Sequence, residues 1–334
     1  MGMLKALVHR FGALDGAPQM LQRLLVGDAP AILTYHAVTA DPLAVPDWCF
    51  LDAQRFREQL RYLKQHCNVI RLREIPAAAQ APDHRPTVAL TFDDGFRNNC
   101  TVAFPILREL ELPATIFLVT DFVSSEDAPW FCHIHDAVAA TTLRELVWEG
   151  ETYDLSSART RAIANARLQE RVKSSPHREL LARVVELVTE LGGRPLRPVE
   201  PDSPYRMLDV HEIRQMAGTG LIEFGAHTCS HAILSGLAPD ERIREIAGSL
   251  TAVERFTQSR CDMFAYPNGR ACDYGASDVM ALRERQVAVA VTTVEGPNDR
   301  SVAPLELRRY GVSAYMSFAQ FKLRAHHLVW KLGG

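Results

Sequence analysis

Val88-Ala89-Leu90-Thr91-Phe92-Asp93-Asp94-Gly95 opens as a run of apolar and β-branched residues and closes on two adjacent carboxylates and a glycine. The run reads as a buried strand, and Asp-Asp-Gly is ordinary turn chemistry at a strand end. Two like charges beside a core are costly to desolvate unless a cation or hydrogen bonds neutralise them, so a site is the alternative to a plain turn. Similar short apolar runs recur at Ala31–Tyr35, Val69–Leu72, Ala114–Val119, Ile222–Gly225, Met263–Tyr266 and Val287–Thr292. Longer amphipathic stretches separate them. Asp52 can cap a helix whose Phe56, Leu60 and Leu63 share one face, and Asn98–Leu110, Asp240–Phe256 and Ser277–Arg285 are alike. Strands alternating with helices predict an α/β fold built on a parallel sheet.

About seven such strands suit either a closed barrel or an open doubly wound sheet, and periodicity does not choose between them. Both place ligands at the carboxyl ends of the strands. From about 124 to 204 the alternation lapses into charged, helical sequence ending in Gly192-Gly193-Arg194-Pro195 and Pro198-Val199-Glu200-Pro201. We expect a helical insertion there, in one domain over 31–334, preceded by an N-terminal helical segment over 1–30.

The chain of 334 residues is 47% hydrophobic, enough for a substantial core. Its 37 basic and 40 acidic residues give a net charge of −3, which offers no basic field for nucleic acid. No apolar run nears the roughly 18–20 residues of a membrane-spanning helix. The first residues lack the pattern of a secretory signal, so the expectation is a cytoplasmic protein. Stripes at Leu4, Leu7 and Val8, and at Leu21, Leu24 and Leu25, leave peripheral membrane contact open beside simple packing on the domain. Seven cysteines without paired spacing suit free thiols.

The second chemical feature, His227-Thr228-Cys229-Ser230-His231, directly follows the candidate strand Ile222–Gly225. Two imidazoles four residues apart can converge on a metal with a carboxylate as third ligand, although the same spacing also occurs on packed or solvated helix faces. The carboxylate pair and the histidine pair each supply what the other lacks.

Together these motifs resemble the polysaccharide deacetylases, carbohydrate esterase family four, whose domain also occurs in chitooligosaccharide deacetylase. Thr91–Gly95 is similar to the family's first motif and His227–His231 to its His-Ser/Thr-x-x-His motif; the resemblance runs from about Ile32 to Tyr315. It implies a distorted (β/α) barrel of about seven parallel strands. It further implies that Asp94, His227 and His231 hold a divalent metal, zinc first and cobalt, nickel or manganese as alternatives, with Asp93 as general base. Such a metal polarises a carbonyl and lowers the pKa of water. Thr228 would orient the ligand loop. The implied activity is removal of N-acetyl groups from an amino sugar in a polysaccharide, a glycolipid or a sugar precursor. A cytoplasmic site would favour a sugar nucleotide or lipid-linked precursor.

The chain departs from the family twice. Ala265, in Phe264-Ala265-Tyr266-Pro267-Asn268-Gly269, stands where an arginine partner of the base is expected, leaving Tyr266, Pro267 and Asn268 as substrate or oxyanion candidates. Arg308 or Arg309 could replace that arginine, or form a surface ion pair. The late histidine that serves as general acid is absent from Leu305–Tyr310. His36 is our replacement, because a strand ending in Tyr-His recurs in the deacetylases of biofilm poly-N-acetylglucosamine; a structural role is the alternative. Cys132-His133-Ile134-His135-Asp136 has the look of a second metal cluster but lacks a partner pair, and Trp130 and Phe131 suit a barrel edge or a sugar groove. Two rival functions keep this fold: an amidase or deformylase acting on non-sugar amides, and a carbohydrate-binding protein without catalysis.

Overall fold

Thr87–Phe92 is a strand in which all six residues are buried, as a parallel strand covered on both faces requires. Around it the computed structural model describes residues 28–78, 85–175, 177–196 and 198–328, together with Pro18 and Gln22. In chain order the main elements begin with β1 (Ala31–Tyr35), β2 (Ala37–Thr39), β3 (Phe50–Asp52), α1 (Ala53–His66), β4 (Asn68–Ile70), β5 (Thr87–Phe92), α2 (Phe104–Leu110) and β6 (Ala114–Leu118). Next come α3 (Trp130–Ala140), β7 (Glu145–Trp148), β8 (Glu151–Asp154), α4 (Ala158–Lys173), α5 (His177–Glu190) and α6 (Val210–Ala217). The chain continues with β9 (Ile222–Ala226), α7 (Pro239–Thr257), β10 (Met263–Ala265), α8 (Ala276–Glu284), β11 (Val289–Val291), β12 (Tyr310–Gly311) and α9 (Phe318–Ala325).

The large sheet runs β11-β10-β9-β6-β5-β1-β12 with every pairing parallel. β5 forks: β1 follows its length on one side, while β4 pairs with its start and β6 with its end on the other. The two ends of the curled sheet meet through a single bridge, Val291 to Leu307, three residues before β12. The architecture is therefore a distorted (β/α) barrel. Leu33, Leu90, Ile116, Phe224 and Phe264 belong to the main core.

Several boundaries differ from the sequence reading for identifiable reasons. The strand expected to reach Leu72 stops at Ile70, because Leu72–Ala77 coils into a 3₁₀ turn. Asn98–Leu110 is not one α-helix. Pro105 lacks the N–H that would close an α turn on Thr101, and the Phe104 N–H reaches back five residues to Asn99, giving a π turn over Asn99–Ala103. The small parallel pair β2–β3 was not anticipated.

The stretch expected to be helical also contains the antiparallel hairpin β7–β8, turned at Glu149 and Gly150, both with positive φ (50° and 78°). Its inward residues Leu146, Trp148 and Tyr153 join Ile134, Leu168 and Val184 in a cluster separate from the barrel core. Asp52 caps α1, its side chain accepting the Arg55 N–H at 3.0 Å. All seven cysteines are free thiols. Leu4, Leu7, Val8, Leu21, Leu24 and Leu25 lie outside the described residues. Among the described residues, no helix is long and apolar enough to cross a membrane.

Candidate metal centre and active site

Asp93 and Asp94 leave β5 at its carboxyl end. The Asp93 N–H donates to Tyr35 O at 3.0 Å, and Asp94 O accepts from the Val119 N–H at 3.3 Å, so the neighbouring strands fix both residues. Asp94 turns through φ 72° and Gly95 through φ 85°; a Cβ on Gly95 would stand 2.8 Å from Leu118 Cδ2. One strand further on, the His227 N–H donates to Leu118 O at 2.9 Å. His227 Nδ1 lies 2.8 Å from Ala265 O, which makes Nδ1 the protonated nitrogen and leaves Nε2 facing the carboxylates. Thr228 is fully buried and donates its hydroxyl to His227 O at 2.6 Å.

Asp94, His227 and His231 converge so that one ligand atom from each lies within 4.8 Å of the others. Asp94 Oδ1 is 3.4 Å from His231 Nε2 and 3.8 Å from His227 Nε2. That oxygen is buried without a hydrogen-bond partner. Tetrahedral N and O ligands at zinc distances stand about 3.3–3.6 Å apart; the 3.4 Å pair lies in that range and the 3.8 Å pair just beyond it, a donor set that suits a divalent cation. Burial, and then Asp93, raise the Asp94 pKa well above the usual carboxylate range. Burial, and then His227, hold His231 well below the usual imidazole range, and burial lowers His227 also. Neutral imidazoles are the form that binds metal.

Asp93 faces a different partner. Arg309 Nη1 donates to Asp93 Oδ1 at 2.7 Å and Nη2 donates to Oδ2 at 2.8 Å, a bidentate fork. Thr292 O accepts from Arg309 Nε at 2.8 Å, and Thr91 Oγ1 accepts from Nη1 at 3.2 Å. Burial alone would raise the Asp93 pKa, but the Arg309 charge, with His227 and His36, outweighs it and holds the carboxyl below its ordinary range. The guanidinium missing at Ala265 thus arrives from the segment leading into β12. Arg308 does not share this position; its side chain packs over Gly296.

His36 follows β1 at the level of Asp93, with its ring 4.7 Å edge-on from Trp48 and its carbonyl accepting from Asn99 Nδ2 at 2.7 Å. His36 Nδ1 is buried without a partner. Burial lowers its pKa to about 4, against the pull of Asp93. The Phe131 ring lies 5.9 Å from the His231 ring.

Tyr266 is not available as a site residue. Its hydroxyl donates to Leu305 O at 3.0 Å, its N–H donates to Val291 O at 3.1 Å and its ring stacks on Tyr274, so it is a packed strand-end aromatic. Pro267 is buried beside it. Asn268 turns at φ 60°, its side-chain amide held by Asp273 Oδ2 at 2.5 Å and its carbonyl by the Thr293 hydroxyl at 2.6 Å.

The Cys132–Asp136 stretch does not gather a metal site. His133 Nε2 is 2.8 Å from Asp127 Oδ1, and His135 bridges the Tyr205 hydroxyl (2.5 Å) and Val45 O (3.0 Å). Among the described residues, Asp94, His227 and His231 form the one His/Cys/Asp/Glu group placed to hold an ion. Sequence reasoning missed Trp48 and Asn99, which enter from a loop and a π turn and carry no motif.

A sequence model of the family described as Polysaccharide deacetylase matches residues 80–284. YxkH of Bacillus subtilis, whose name assigns it to the polysaccharide deacetylases, is 21% identical over 294 residues, covering 87% of this chain and 74% of that protein. Among solved structures, the Streptococcus pyogenes deacetylase PplD in complex with acetate is similar at TM-score 0.56 and 18% identity, over 89% of this chain and 98% of that one. IcaB from Ammonifex degensii is similar at TM-score 0.56 and 19% identity, over 90% and 98%.

Proposed function

This chain belongs to the polysaccharide deacetylase family, and on that premise we propose that it is a metal-dependent hydrolase removing N-acetyl groups from an amino sugar. The observation that carries this reading is the Asp94–His227–His231 cluster beside a carboxylate, Asp93, held ionised by Arg309. A divalent cation at the cluster, zinc by preference, would polarise an amide carbonyl and acidify a water. Asp93 accepts the proton of the attacking water on the oxygen lone pairs that Arg309 leaves free, and the fork fixes the plane in which it does so. The backbone N–H at the Asn268 turn is our candidate for holding the oxyanion.

His36 is the proposed donor to the departing amine. Because its imidazole is neutral near pH 7, it first takes up a proton, and Asp93 is the neighbour able to supply the one it has accepted. Trp48, 41% exposed beside His36, and Phe131 beside His231 offer apolar faces suited to a pyranose ring. The acetate held by the Streptococcus pyogenes deacetylase is the product class this reading expects. The binding-protein alternative rests on the missing arginine and the missing late histidine; Arg309 beside Asp93 answers the first, and the second is answered only if His36 is the proton donor.

Acetate release from N-acetylglucosamine oligomers and from acetylated lipid-linked sugars, with and without chelator, tests the proposal against a panel of N-acetylated and N-formylated small amides. Chelator-sensitive release from the sugars supports it. Turnover confined to the small amides would replace it with the amidase reading.

A further inference from the structure

Glu245 lies on α7, outside both motifs, yet three of its hydrogen bonds end on the loop that carries the two histidines. Its Oε2 accepts the N–H of Cys229 at 2.7 Å and of Ser230 at 3.0 Å, and its Oε1 accepts the Ser230 hydroxyl at 2.7 Å. Cys229 and Ser230 are two of the three residues between His227 and His231, so one carboxylate gathers the turn between the ligands. Gly248, one helical turn further along, permits the close approach: a Cβ there would stand 2.9 Å from Cys229 Sγ. On the loop's other side, the Thr120 N–H donates to Thr228 O at 3.2 Å and the Asp121 N–H to Cys229 O at 2.9 Å.

The loop needs this support because Thr228 and His231 both adopt φ 62°, a left-handed conformation that non-glycine residues hold only when their surroundings impose it. We propose that Glu245 is a positioning residue for the metal centre, holding His227 and His231 at the spacing that faces Asp94. This rests on reading Asp94, His227 and His231 as metal ligands. Glu245 acts through the backbone of the loop. Its contribution is preorganisation, which sets metal affinity as partners behind the ligands do elsewhere.

The test is a titration of chelator-stripped protein with Zn²⁺ against a chromophoric competitor. Glu245→Ala should weaken Zn²⁺ binding about 10–100-fold. Glu245→Asp, whose carboxylate is retracted by one methylene, should weaken it similarly. Glu245→Gln should stay close to wild type, because its carbonyl oxygen can accept both backbone N–H groups and the Ser230 hydroxyl can accept from its amide. If the alanine variant does not fold, the Asp and Gln variants decide. Wild-type affinity in the Ala or Asp variant, or equal loss in Asp and Gln, overturns the positioning role while leaving the metal site intact. A wild-type protein that binds no Zn²⁺ overturns the metal reading itself, and this inference with it.

Discussion

Replacing Arg309 by methionine removes one half of a buried ion pair. The two side chains are 1% and 4% exposed, so Asp93 would be left as a carboxylate without its bidentate partner. Breaking such a pair from one side costs about 3–5 kcal/mol, far more than an exposed salt bridge. In a chain of this size the melting temperature should fall by roughly 4–7 °C. The carbonyl of Thr292 and the hydroxyl of Thr91 also lose a donor, which places the cost toward the upper end. Denaturant unfolding of Arg309→Met, and of the double variant Asp93→Asn/Arg309→Met, separates charge from packing. The double variant should regain more than half of the lost stability, because no unpaired charge remains, while both variants lose activity. A single variant as stable and as active as wild type would refute the argument.

Three further outcomes follow from named contacts. His36→Ala should retain zinc but lose about 10²–10⁴-fold in turnover; near-normal turnover with metal bound excludes it as the proton donor. Asp47 is buried and accepts from Cys49 N and Sγ, Asn165 Nδ2 and Gln169 Nε2, tying the Trp48 loop to α4. Asp47→Ala should therefore cost roughly 2–3 kcal/mol in denaturant unfolding, and a loss below 0.5 kcal/mol, within the usual range for surface changes, would remove its structural role. Burial holds His326 down to about 3 and His327 down to about 4. Both folded values lie below the unfolded one, so the stability they contribute is present above about pH 6.5 and is lost as pH falls toward 4. For His327 alone the loss by pH 4 is roughly 3 kcal/mol. Unfolding midpoints from pH 8 to 4.5 should show this slope, and His327→Asn should flatten it; an unchanged slope in the variant contradicts the assignment.

The parallel α/β sheet was legible because its strands are short, branched and followed by polar turns, as in Val88–Gly95, whereas its closure into a barrel was implied only by the family resemblance. Leu307 and Arg309 are buried with the half-buried Arg308 between them, an alternation in extended chain that separates the two arginines. The hairpin at Glu145–Asp154 was hidden by its charged outer face, although Leu146, Trp148 and Tyr153 carry the period of two. Tyr266 misled because a motif position does not reveal that both its hydrogen-bonding groups are already used within the barrel. Glu245 was out of reach for another reason. Its bonds to Cys229 and Ser230 depend on how α7 lies against the loop, which no local pattern encodes.

The most direct test of the central claim is elemental analysis of the purified protein and of Asp94→Ala and His227→Ala, paired with chelator-sensitive acetate release from an N-acetylated sugar oligomer. The account predicts about one divalent ion per wild-type chain, little in either variant, and acetate release that tracks the bound metal. Variants that keep both full metal content and full activity would contradict it.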